Sequence, residues 1–102
     1  MELAPGVSID DEGLQEFCSA HGIRHLGLFG SALSGRLQPD SDIDLLVEFE
    51  PDRKPGLLGM AQLELDLGEL FGRSVDLRTL GDLSRYFRDE VAAGARTLYD
   101  AA

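Results

Sequence analysis

Two stretches decide how this chain is read: Leu26-Gly27-Leu28-Phe29-Gly30-Ser31, and Pro39-Asp40-Ser41-Asp42-Ile43-Asp44-Leu45-Leu46-Val47-Glu48-Phe49. A strand-like run ends in Gly30-Ser31. A short polar connection follows, and a second strand then opens with carboxylates at i and i+2. Alternation along a strand puts Asp42 and Asp44 on the same face. Two like charges that close repel unless a cation sits between them. Hard oxygen ligands of this kind suit Mg²⁺, which takes one or two carboxylates and completes its shell with water and phosphate oxygens. Gly30 permits close backbone approach, and the amides of a following helix start, with the Ser31 hydroxyl, can hold a triphosphate. The pattern predicts nucleotidyl or phosphoryl transfer.

The bulk properties narrow the field. At 102 residues and 11.1 kDa the chain is expected to form one domain, residues 1–102, around one modest core. Its net charge of -10 argues against direct nucleic-acid binding, which relies on basic surface. The plain reading of the acidity is solubility; the sharper one is a docking surface for a basic protein. Cys18 is the single cysteine, which excludes an intrachain disulfide and fits a cytoplasmic setting. Its place in an apolar helical pattern reads as buried filler. Met1 to Pro5 lacks the regions of a signal peptide, and no apolar run is long enough to suggest a membrane span.

Outward from the two stretches, the spacing predicts an order α-β-α-β-α-β-α-β. Ser8 caps a first helix over residues 9–21, with Leu14, Phe17 and Cys18 on one face and Gly22 as its stop. Residues 23–29 form the first strand, and 30–35 a short helix or turn. Residues 42–49 form the second strand, with Ile43, Leu45, Val47 and Phe49 inward; Leu46 suggests that the other face is partly covered too. A loop at 50–56 leads to the longest helix, 57–71, where Met60, Leu63, Leu67, Leu70 and Phe71 recur at helical spacing and Gly72 ends the run. Residues 73–79 form the third strand, with Val75 and Leu77 inward and Asp76 opposite. Ser84 caps a last helix to about residue 93, and residues 96–99 form a terminal strand.

Asp76 joins Asp42 and Asp44 as the candidate catalytic and metal-binding set. In two-metal chemistry one ion activates the attacking oxygen and the other steadies the triphosphate and the leaving pyrophosphate. The first two aspartates can bridge both ions, and Asp76 can complete the activating site and accept a proton from the acceptor hydroxyl. An isolated D-x-D is common at strand starts. Gly30-Ser31 upstream and Val75-Asp76-Leu77 downstream are what single this one out.

On these residues the chain resembles the polymerase-beta-like nucleotidyltransferase superfamily. More closely it resembles the minimal nucleotidyltransferases, small prokaryotic proteins usually paired with a HEPN-domain toxin. The resemblance runs through residues 28–31, 39–49, 75–79 and 82–91. It implies an α/β fold with a small mixed sheet flanked by helices. It implies ATP as co-substrate with two Mg²⁺ ions, and AMP transfer to a hydroxyl, a tyrosine, of the toxin, which silences it. By motif match, Gly30 and Ser31 are phosphate binders, and Asp42, Asp44 and Asp76 are metal ligands. One departure stands out. The family often reads G-S-x-A-R-G, and here Ser34 stands where arginine is common; Arg36, two residues on, is the candidate replacement for that phosphate-pairing guanidinium.

The remaining residues read more plainly. Arg78 shares a strand face with Asp76 and is expected to pair with a carboxylate, with contact to a phosphate as the alternative. His21 and His25 lack metal-ligand spacing and read as surface or helix-end residues. Arg53 and Lys54 read as a solvated loop tip, Tyr86, Phe87 and Tyr99 as core, and Arg85 and Arg88 as exposed. Size points toward a protein partner: nucleotide and metals fill most of so small a cleft, and a protein acceptor brings its own binding surface. A hetero-oligomer with the toxin follows from that reading. The alternatives are transfer to a small hydroxylated molecule such as an aminoglycoside, and a non-catalytic module that neutralises a toxin by contact.

Overall fold

A computed structural model describes residues 1–4, 7–30, 38, 40–83, 85, 86 and 88–101. The element order among them is β1 (Glu2–Ala4), β2 (Val7–Ser8), α1 (Asp11–Ala20), β3 (Ile23–Phe29), β4 (Ile43–Phe49), α2 (Leu57–Phe71), β5 (Val75–Arg78), a 3-10 turn (Leu80–Asp82), α3 (Arg88–Gly94) and β6 (Arg96–Asp100). The expected short helix or turn after Gly30 and the expected Ser84 cap lie outside the described residues.

The main sheet has the strand order β5-β4-β3-β6. β3 pairs antiparallel with β4 and with β6, and β4 pairs parallel with β5. The sheet is therefore mixed, as expected. The parallel pair needs a crossover, and the long segment carrying α2 supplies it. β1 and β2 form a separate antiparallel pair that the sequence reading missed. Its Leu3 and Val7, with Ile9 just beyond, join the core. Two- and three-residue strands are too short to show a period, so tertiary burial alone reveals them.

That pair also corrects the first helix. Ser8 belongs to β2, so it cannot cap α1. Asp10 does so instead, accepting from the Gly13 amide at 3.0 Å. α1 ends at His21, whose Nδ1 lies 2.8 Å from the Phe17 carbonyl, the helix-end role expected of it. α2 ends as predicted at Gly72, which takes a left-handed φ of 69° and returns its amide to the Glu69 carbonyl. The third strand is shorter than expected. Arg73 lies ahead of it, and its guanidinium donates to the carbonyls of Ser41, at 3.0 Å, and Gln38. The arginine thus ties the turn before β4 to the turn before β5.

One face of the sheet is packed. Leu26, Leu28, Ile43, Leu45, Val47, Val75 and Leu77 share it by register, and with Leu14 and Cys18 of α1 and Leu63, Leu67 and Phe71 of α2 they form the buried core. The inward residues predicted for β4, β5 and α2 match. Phe17, Phe49, Met60 and Leu70 sit at the core's margin. Cys18 is fully buried, and burial pushes its thiol up to about 12, so it is filler and not a nucleophile. The opposite face carries Gly27, Leu46, Asp44, Asp76 and Arg78. Leu46 is buried there, as the sequence suggested, and shares a small cavity with Leu80 and with Ala92 of α3. Leu80 and Ala92 thus line the Leu46 end of that face, and the aspartates lie further along it.

Candidate active site

β4 and β5 build the site through their register. Asp44 is the direct parallel partner of Asp76, one strand spacing away, about 4.8 Å. On its other side Asp44 is opposite Phe29, the residue before Gly30. Gly30 closes over this point with a φ of 75°, a conformation that side-chain-bearing residues rarely adopt. A Cβ on Gly30 would run into the Asp44 carboxylate. The glycine is therefore required twice, once for its backbone angle and once for its approach to a carboxylate. The D-x-D motif needs a glycine at the end of the preceding strand because antiparallel pairing brings that strand end onto the second aspartate.

Asp42 is placed differently. It precedes β4, is exposed, and lines an open cleft of about 750 Å³ between the C-terminal half of α2 and the turn into β5. Glu64, Leu65, Glu69 and Arg73 line the same cleft. The structure therefore pairs Asp44 with Asp76 and leaves Asp42 at a neighbouring edge. Among the described residues, no three His, Cys, Asp or Glu side chains converge on one point that could hold a metal. Ser31 and Arg36, the other expected phosphate contacts, lie outside the described residues, as does Ser34.

The charge around the pair is organised by Arg78. Its Nε and Nη2 donate to the two oxygens of Asp76, at 3.0 and 3.2 Å, so the pair is bidentate. This is the carboxylate pairing predicted for it. The bond to Asp76, its charge, and the charges of Asp82 and Asp44 together raise the guanidinium above its ordinary value. Asp82 is the carboxylate that the sequence reading missed. Its Oδ2 accepts from the Thr79 amide at 3.0 Å and from the Thr79 hydroxyl at 3.1 Å, and these bonds, with Arg78 nearby, hold its carboxyl below the usual value. The signal was present: Thr79-x-x-Asp82 has the spacing of a capping box.

The donor set fits Mg²⁺. It is made of hard carboxylate oxygens on adjacent strands, beneath a glycine whose missing side chain lets the backbone lie against the Asp44 carboxylate. A guanidinium already bound to one carboxylate shows that the site takes a positive charge.

Outside the site, two expectations change. Tyr86 is 88% exposed and not core, whereas Tyr99 packs at the core's margin as expected; Phe87 lies outside the described residues. Arg88 is half-buried and donates to the Leu83 carbonyl at 3.3 Å, while Arg85 is exposed. His25 is half-buried against the Thr97 hydroxyl. Arg53, exposed with Lys54, donates to the Ala20 carbonyl at 2.8 Å.

Residues 11–98 match the nucleotidyltransferase domain family. The chain belongs to that family. Among its relatives, protein adenylyltransferase MntA of Thermococcus cleftensis is 43% identical over 63 residues. That match covers 62% of this nucleotidyltransferase chain and 62% of the relative. A solved structure described as a candidate minimal nucleotidyltransferase superposes with a TM-score of 0.68 at 38% identity, covering 83% of this chain and 85% of that one. The fold also recurs in the complex of a tri-AMPylated Shewanella oneidensis HEPN toxin with its MNT antitoxin, with a TM-score of 0.63 at 18% identity, covering 89% of this chain and 70% of that one.

Proposed function

We propose that this nucleotidyltransferase is an antitoxin. It transfers AMP from ATP to a hydroxyl, a tyrosine, of a cognate HEPN toxin and so silences it. The observation that carries the reading is the Asp44–Asp76 pair on adjacent strands, with the left-handed Gly30 backbone lying directly against the Asp44 carboxylate. The protein acceptor is supported by the name of the T. cleftensis relative and by the AMPylated toxin in the S. oneidensis complex.

The chemistry assigns each residue a task. Asp44 and Asp76, with Asp42 at the adjoining edge, would hold two Mg²⁺ ions. Bound there, Mg²⁺ neutralises triphosphate charge and lowers the pKa of the acceptor hydroxyl. Gly30 lets the backbone reach the phosphates, and Ser31 and Arg36 are proposed to bind them. The acceptor oxygen bonds to the α-phosphorus, the bond from that phosphorus to the β-phosphate bridge breaks, and pyrophosphate leaves. Asp76 takes the hydroxyl proton and passes it to water. Arg78 must then exchange Asp76 for another anion, and the incoming triphosphate supplies one.

The test is mass spectrometry of the HEPN toxin of the same genome after incubation with the chain, ATP and Mg²⁺. The expected result is a toxin heavier by one adenylate for each transfer to a tyrosine hydroxyl, with one pyrophosphate released each time, and no addition by the folded Asp76→Asn variant. An inhibited but unmodified toxin would assign the chain to contact neutralisation. Adenylation of an added aminoglycoside in place of the toxin would assign it to small-molecule transfer.

A further inference from the structure

α1 and α2 contribute to the same core, yet their outer surfaces differ. α1 turns Asp11, Glu12, Gln15 and Glu16 to water. α2 buries Leu63, Leu67 and Phe71, and it also turns Leu57, Leu58 and Leu65 outward, at 92%, 88% and 67% exposure. Leu58, the exposed Ala61 and Leu65 stand at i, i+3 and i+7, so they share one stripe, with Leu57 beside it. From Leu57 to Leu65 the helix rises about 12 Å. Scattered exposed leucines are ordinary, but a row on one helix is not. Such a row is the kind of surface that a partner covers.

Charge narrows the occupant. α2 carries Glu64, Asp66 and Glu69 and no basic residue, in a chain of net charge -10. A second copy would set acid against acid, and an anionic lipid surface or a nucleic acid would be repelled in the same way. A protein surface whose apolar ridge is bordered by lysines or arginines fits both the stripe and its charge. Position narrows it further. Leu65 and Glu69 line the cleft that also holds Asp42, so the stripe ends at the edge where Asp42 lies, next to the Asp44–Asp76 pair.

We propose that the outer face of α2, centred on Leu57, Leu58 and Leu65 with Glu69 at its cleft end, is where the toxin docks, through an apolar ridge flanked by basic side chains. The proposal rests on the toxin-directed reading above and adds the surface through which that reading operates. Docking there seats the toxin beside Asp42 and accounts for leucines that the fold itself does not use.

The experiment is isothermal titration of the full chain with the purified HEPN toxin of the same genome, at low and high salt. Leu58→Gln/Leu65→Gln should weaken binding by about 30-fold or more, the loss expected of a central hot spot. Leu58→Met/Leu65→Met should stay within about threefold, because the apolar surface is kept. Glu69→Lys should weaken binding mainly at low salt, while Glu12→Lys on α1, an equal change of charge, should not. Unchanged melting midpoints identify the effects as docking and not unfolding. If wild type binds and adenylates the toxin, and the double glutamine variant binds equally well, the docking surface is overturned and the transfer reading stands. If wild type neither binds nor modifies the toxin, both are overturned. A self-association of the chain that the double glutamine variant abolishes would assign the stripe to a second copy and overturn the proposal.

Discussion

Along β4, neighbouring residues belong to different environments. Ile43, Leu45 and Val47 point into the packed face and are almost wholly buried, while Asp44, one peptide away, points to the face where Asp76 and Arg78 meet solvent. The second face is divided in turn. Around Leu46 it is lined by Leu80 and Ala92, and around Asp44 the Gly30 backbone lies against the carboxylate. The comparison teaches that stability and chemistry are separated here by strand alternation and not by distance. A substitution on one face should therefore spare the other.

The largest effect is expected at Asp44. Asp44→Asn keeps the size of the side chain and removes its charge, so transfer should fall by roughly 10³-fold, the scale of losing one preorganised electrostatic group. The melting midpoint should stay close to wild type. Loss of fold together with activity, read by circular dichroism, would break the separation from the chemical side. Leu45→Ala is the converse. It empties part of a fully buried central-strand site and should cost about 2–5 kcal/mol in denaturant unfolding. The fraction that remains folded should still bind ATP. Weak ATP binding by the folded fraction would show that the two faces are coupled.

Gly30→Ala tests the seam between the faces. A left-handed φ costs a side-chain-bearing residue about 1–2 kcal/mol, and the new Cβ would also press on Asp44. The expected outcome is a modest loss of stability with a disproportionate loss of ATP affinity, measured by titration. Equal losses of both would make Gly30 a purely structural glycine.

The smallest effect belongs to Asp82. Its carboxyl is held below the ordinary 3.8, first by the Thr79 amide. A depressed carboxylate stabilises the fold above the unfolded value, and that contribution disappears as pH falls through the folded value. Asp82→Asn should therefore melt slightly below wild type near neutral pH, by about half a kcal/mol or less given its exposure. The difference should close below about pH 4. A difference that persists in acid would show that the cap works through its shape and not its charge.

How much of this was legible beforehand depends on the range of the interactions. The strands at 23–29 and 43–49 and the helix at 57–71 were plain because alternation and helical spacing are local patterns with strong apolar residues behind them. The β1–β2 pair was not, since its few residues show no period and are held by burying Leu3 and Val7 in a core built by distant elements. Loss of Ser8 to that pair moved the helix cap to Asp10. Tyr86 was misjudged because an aromatic residue beside a helix start does not announce which way it faces.

The site divides along the same line. The sequence by itself determined the residue types: Gly30 at a strand end, a D-x-D at the start of the next and Asp76 on a third put carboxylates near a close backbone approach, because side-chain type and strand period are written in the chain. Only the tertiary structure decided which of them meet. Register pairs Asp44 with Asp76 and lays Gly30 against Asp44, while Asp42, one residue ahead of β4, borders the α2 cleft. It also decided that Leu57, Leu58 and Leu65 stay outside a core that α2 otherwise fills. Pairing and burial depend on residues far apart in the chain, and no local pattern fixes them.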